Sequence, residues 1–168
     1  MIKIAIIGGK LQGTEAAYLA KKAGFLSILI DKNENPPAKG ICDLFVCADI
    51  RQKDDVLISL LKSVDLVLPT VENKEALDAL RCLASSYSIH LAFDFTAYEI
   101  TSSKKKSDLL FHKNGISAPA YYPKGSAPYI AKPVYGSGSS GVWYLNTEGD
   151  ADDFLHSHNA EDWIIQEY

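Results

Sequence analysis

Residues 2–13 read IKIAIIGGKLQG. A β-branched run, a glycine turn and apolar positions at helical spacing over 14–23 form the opening of a doubly wound α/β unit. The alternation repeats downstream. Strands are expected at 27–30, 43–47, 65–68 and 90–93, with helices at 54–62 and 74–85 among them. Short apolar runs separated by helices imply a parallel sheet covered on both faces. Ligands of such sheets bind outside the carboxyl ends of the strands. That rule sets 8–13, Asp31, 69–73 and Asp94 along one rim.

The glycine turn does not by itself decide its ligand. Lys10 holds the middle-glycine position of the dinucleotide pattern G-x-G-x-x-G, and no lysine stands between Gly13 and Thr14 as a phosphate loop requires. Three readings stay open. One is an anion or small-substrate site at a helix N-terminus. Another is a stand-alone NAD(P)-binding Rossmann-type domain with Asp31 on the ribose. The third is a tight turn that needs glycine only to fold.

After residue 95 the pattern changes. Helices are expected at 96–100 and 103–114, the second capped by Ser102 or Ser103 and ended by Gly115. Residues 129–142 read YIAKPVYGSGSSGV. An apolar run ends in Lys132-Pro133, a loop follows with Gly136, Gly138 and Gly141 among Ser137, Ser139 and Ser140, and the chain leaves through a second apolar run. This is a hairpin with a flexible tip. Its backbone N–H groups suit phosphate oxygens, with Lys132 as the fixed positive charge; a mobile surface hairpin is the plainer alternative. A helix at 147–156 and a strand at 163–167 complete the chain. The expected organisation is therefore a domain at 1–95 and a smaller unit at 96–168. The elements of the second are too few to bury a sizeable core alone. Either it packs on the first domain or the chain is the front part of a longer protein, and the unpartnered last strand favours the longer protein. Such an edge is also a route to a homodimer.

The chain has 168 residues, 47% hydrophobic and 23% charged, with a net charge of -4. That is an ordinary globular composition and gives no footprint for nucleic acid. No apolar run approaches the roughly 20 residues of a membrane span. Cys42, Cys47 and Cys82 lack CxxC spacing, as expected for reduced thiols in a cytoplasmic protein. The histidines have no metal-ligand spacing, and no Ser-His-Asp or Cys-His set can be assembled.

Taken in order, the second half resembles the ATP-grasp ligases. A lysine opens a helix that ends Gly-Ile-x-x-Pro (Lys104, then 115–119). A strand ends Lys-Pro before a glycine loop (130–133, then 136–142). A hydrophobic strand ends Gln-Glu-Tyr (164–168). The similarity narrows to the ligases of pyrrolysine biosynthesis through 8–19, 21–24, 31–33, the Pro-Thr-Val-Glu-Asn loop at 69–73, and 93–98 with its lysine cluster. The fold implied is a Rossmann-like parallel sheet, the domain that precedes the ATP-grasp module, followed by an incomplete α+β lobe of that module, ending at the adenine hinge.

The resemblance implies an ADP-forming carboxylate–amine ligase that joins 3-methyl-D-ornithine to the ε-amine of L-lysine. ATP converts a carboxylate to an acyl phosphate, which an amine attacks. Lys104 and Lys132 would hold the phosphates, and Gly136, Ser137, Gly138, Ser139 and Ser140 would close over them. Lys105 or Lys106 is the alternative to Lys104. The Glu167 carbonyl and Tyr168 N–H would meet adenine, with Gln166 nearby or a plain strand residue. Lys10, Leu11, Gln12, Glu72 and Asn73 would line the amino-acid crevice, although Asn73 and Glu72 equally suit a helix cap. Ser102-Ser103 depart from the Arg-Asp that the family carries before its first ATP lysine. The Mg²⁺ carboxylates and the catalytic arginine of the family have no counterpart here, so this chain is expected to bind no metal and to be inactive alone.

Overall fold

The structure, a computed structural model, describes residues 1–52, 54–136 and 138–168. The chain divides into two compact units, Met1–Phe93 and Asp94–Tyr168.

The first unit is built on four parallel strands, β1 (Lys3–Ile7), β2 (Leu26–Asp31), β3 (Leu44–Cys47) and β4 (Leu66–Pro69), in the order β3-β2-β1-β4. Ile7 lies beside Ile30 on one side and Pro69 on the other, so the carboxyl ends are level. Side chains alternate across the sheet. Ile4 and Ile6 pack with Ala17 and Ala20 of α1 (Leu11–Lys22). Ala5 and Ile7 pack on the other face with Leu57 and Leu61 of α2 (Asp55–Lys62) and with Leu80 and Leu83 of α3 (Lys74–Tyr87). All of β1 from Ile4 to Ile7 is buried. Helices thus cover both faces, as a continuous apolar strand demands.

Most bounds shift by a residue or two, and two elements depart further from expectation. Helix α1 starts at Leu11, not at Thr14, because Thr14 N–H and Oγ1 both donate back to the Lys10 carbonyl, at 2.8 and 2.9 Å. The run at 90–93 makes a single parallel bridge, Leu91 to Val67, in place of a full strand. Its extension is cut short by Asp94, whose side chain accepts from Thr96 and Ala97 N–H and turns the chain into α4 (Phe95–Thr101).

The second unit carries α4, α5 (Lys104–Lys113) and an antiparallel sheet in the order β6-β5-β7, from β5 (Tyr129–Pro133), β6 (Trp143–Leu145) and β7 (Trp163–Glu167). Helix α6 (Glu148–Ser157) begins with a capping box between Thr147 and Asp150. It closes a small core of Tyr129, Ala131, Leu145, Ala151, Phe154 and Ile165. No helix among the described residues is long and apolar enough to cross a membrane.

Candidate functional site

The second unit gathers its chemistry on the sheet face opposite α6. Tyr129 and Ala131 are buried in the core, so alternation sends Ile130 and Lys132 to the other side. Gln166 and Ile164 stand opposite Ile130 and Lys132 and share their face. Beyond Pro133 the chain enters the glycine loop. Gly136 and Gly138 have φ of +110° and +68°, and nothing lies within 4 Å of the Cβ either would carry. The loop is held by backbone conformation, with open space beside it. Gly136, Gly138, Ser139 and Ser140 are all exposed. Ser137 lies outside the described residues.

Helix α5 presents Lys104 to this loop. Lys104 N–H donates to the Val134 carbonyl at 3.0 Å, and Nζ donates to the Gly136 carbonyl at 2.9 Å. Burial, and then the charge of Lys132 close by, hold the Lys104 ammonium below the usual lysine range. Two like charges converging under an open loop want an anion. The neighbouring lysines face elsewhere. Lys105 Nζ donates to the Ala160 and Glu161 carbonyls, and Lys106 pairs with Glu99 at 2.7 Å.

The end of β7 and Tyr168 are committed to varying degrees. Tyr168 N–H donates to the Pro128 carbonyl at 3.0 Å, so it is occupied by the chain itself. Glu167 N–H donates to the Ala120 carbonyl, and its Oε1 accepts from Ala120 N–H, both at 3.0 Å. The Gln166 amide is 2% exposed and donates to Asp108.

In the first unit Gln12 and Glu72 meet, Nε2 donating to Oε1 at 3.2 Å, while Lys10 and Leu11 are exposed at the start of α1. Asn73 caps α3, its Oδ1 accepting from Ala76 N–H at 2.9 Å. Asp31 spends Oδ2 on Gly9 N–H at 2.7 Å and Oδ1 on Asn33 N–H at 2.8 Å. The glycine turn is closed by packing. A Cβ on Gly8 would stand 2.5 Å from Val71 Cγ1, one on Gly9 2.6 Å from Pro36 Cβ, and one on Gly13 2.0 Å from the Gly8 carbonyl oxygen.

A cavity of about 100 Å³ at the strand ends is lined by Gly8, Asp31, Asp49, Arg51, Val71 and Asn73 among others. Asp49 and Arg51 went unnoticed in the sequence. Arg51 Nε lies 2.9 and 3.1 Å from the two Asp49 oxygens and holds that carboxyl down at about 2. Their only signal was an acid and a base two apart just past a strand.

No family model matches the chain. It is 37% identical over all 168 residues to a 3-methyl-D-ornithine–L-lysine ligase of Methanosarcina barkeri, covering 45% of that protein. Against the ligase of the same name from Methanosarcina mazei it is 41% identical over 139 residues, 83% of this chain and 37% of the relative. The chain therefore spans less than half the length of these curated relatives. Among solved structures, N5-carboxyaminoimidazole ribonucleotide synthetase from Thermotoga maritima superposes with a TM-score of 0.72 at 24% identity, over 100% of this chain and 46% of that one. An ADP complex of the Staphylococcus aureus enzyme superposes with a TM-score of 0.76 at 21% identity, over 99% of this chain and 47% of that one. The fold is that of the front part of such ATP-grasp enzymes. Along its whole length the chain is similar in sequence to 3-methyl-D-ornithine–L-lysine ligases, of which it spans less than half, and its fold is shared with the solved synthetases.

Proposed function

We propose that this chain is the substrate domain and nucleotide-holding lobe of an ATP-dependent carboxylate–amine ligase that joins two amino acids, 3-methyl-D-ornithine and L-lysine. The observation that carries the reading is the convergence of Lys104 and Lys132 beneath an open glycine loop. ATP, when bound, supplies the activation of a carboxylate for attack by an amine. The chain's own part is charge neutralisation and positioning. Lys132 and Lys104 hold phosphate oxygens as point charges. Lys104 exchanges the Gly136 carbonyl for a phosphate, and Gly136, Gly138, Ser139 and Ser140 close from above. The Glu167–Tyr168 segment would hold adenine through backbone groups other than the Glu167 and Tyr168 N–H, both already bonded within the chain. At the strand ends of the first unit, Glu72 and Gln12 offer a carboxylate and an amide to an amino acid, with Lys10 and Leu11 at the rim. Asn73 serves as a cap. Among the described residues no three His, Cys, Asp or Glu side chains gather as a metal set.

Dinucleotide binding at the first glycine turn is the weaker reading. The acid it needs, Asp31, is already bonded to the turn itself. Calorimetry of the 168-residue chain with Mg-ATP and with NADH separates the two. The expected result is weak ATP binding that Lys132→Ala reduces by on the order of tenfold, the scale of one hydrogen bond to a charged group. Tight NADH binding without an ATP response would overturn the proposal. For the whole ligase, the protein containing this segment should release ADP only when both amino acids are supplied.

A further inference from the structure

Helix α5 lacks the usual anchor of a surface helix. None of its residues is buried, and Leu109 and Phe111 are 68% and 38% exposed. A short helix ordinarily takes its orientation from an apolar face packed on the core. Here polar bonds must set it. The bond at its middle is Asp108, one turn after Lys104 and on the same side of the helix. Asp108 Oδ2 accepts from the Tyr121 hydroxyl at 2.6 Å and from Gln166 Nε2 at 2.5 Å. The two donors belong to different segments, joined to each other by the Tyr121–Gln166 bridge. Gln166 is buried, lies on the Lys132 face of the sheet, and directly precedes the hinge residues Glu167 and Tyr168.

We propose that Asp108 is a positioning residue that locks the rotation of α5 against β7 and so aims Lys104 at the glycine loop. It rests on the reading of Lys104 as a phosphate lysine. Bonds to an ionised acceptor are short and about twice as strong as neutral ones. Tyr121 stays a donor, because burial and then the Asp108 bond push its hydroxyl pKa up. The donors and the acceptor are therefore defined, and together with the bonds of Lys104 N–H and Lys105 Nζ they fix the rotation of α5. A rotation of one residue on the helix, about 100°, would carry Lys104 away from Gly136 and bring a different lysine round. In this arrangement the phosphate end and the adenine end of the lobe are tied through one carboxylate.

Lysine acylation of the folded full chain, read by mass spectrometry, tests the aim of Lys104 without any nucleotide. Asp108→Ala should raise labelling of Lys104 several-fold and leave Lys3 and Lys62 of the first unit unchanged. Asp108→Asn keeps an acceptor oxygen at the same reach and should raise it less. Unchanged Lys104 labelling in both variants overturns the proposal, and so does an equal rise at every lysine in both. A second arm uses Mg-ATP affinity in a double-mutant cycle. Asp108→Ala should weaken binding when Lys104 is present and add nothing in a Lys104→Ala background; equal losses in both backgrounds overturn it. Should the wild-type chain show no ATP affinity, the function reading fails, while the labelling arm still decides the role of Asp108.

Discussion

The two glycine loops of this chain are glycine-rich for opposite reasons. In the first, the missing side chains make room for the protein itself: Gly13 lies under the Gly8 carbonyl, Gly9 against Pro36, and Gly8 against Val71. In the second, Gly136 and Gly138 meet nothing and are set apart only by left-handed backbone angles. The first loop is a packing solution, locked further by Asp31 on Gly9 N–H and by Thr70 Oγ1 donating to the Ile7 and Gly8 carbonyls. The second is open on one side and has lysines below it. A glycine pattern marks a ligand loop only where the space beside it is not already filled.

The sharpest way to break that contrast is to add a methyl group to each loop. Gly13→Ala forces Cβ into a backbone carbonyl that cannot swing aside, and should destabilise the first unit by on the order of 3 kcal/mol or more in denaturant unfolding. If Gly13→Ala costs little, the first loop is not packed as described. Lys132→Ala comes next. It should leave stability nearly unchanged and weaken ATP binding, and it should let the Lys104 ammonium titrate closer to the ordinary lysine range, followed by NMR at its side chain. An unmoved Lys104 titration would mean that the two lysines do not share a site. Gly138→Ala should cost only about 1 kcal/mol, the strain of a left-handed angle, since Ser139 beside it already tolerates a φ of 57°.

The smallest effect concerns the strand-end cavity of the first unit. The Asp49 carboxyl is depressed from 3.8 to about 2 by Arg51. A depressed acid stabilises the fold above its unfolded pKa and loses that contribution as pH falls through the folded value. The difference in melting temperature between wild type and Arg51→Ala should therefore be constant near neutrality and close between about pH 4 and pH 2. The Arg51 side chain is 46% exposed, so solvent screening keeps the gap small. A gap independent of pH would mean that Arg51 acts through packing alone.

Much of the architecture could be read from local patterns. The run at 163–167 became β7 with those bounds, and Ser103, one of the two serines expected to cap α5, takes that role. The strand expected at 90–93 failed because the Asp94 cap competes for the same chain, a contest that periodicity does not register. Within the candidate site, Lys104 stood out from its neighbours only through its spacing to Gly115. Asp49 and Arg51 carried only the faint signal of an acid and a base two apart, and Asp108 none, since single charged residues look alike until their partners are known.

By itself the sequence determined most of the strands and helices, their order, and where glycine relaxes the backbone. These depend on residues within a turn or two of each other, through apolar period, capping and allowed φ. Tertiary structure decided which glycine loop is open, which lysine reaches it, and that Asp108 joins Gln166 across 58 positions of chain. Those outcomes depend on how faces pack and where side chains point once they have packed, and no local pattern encodes the space that remains between them.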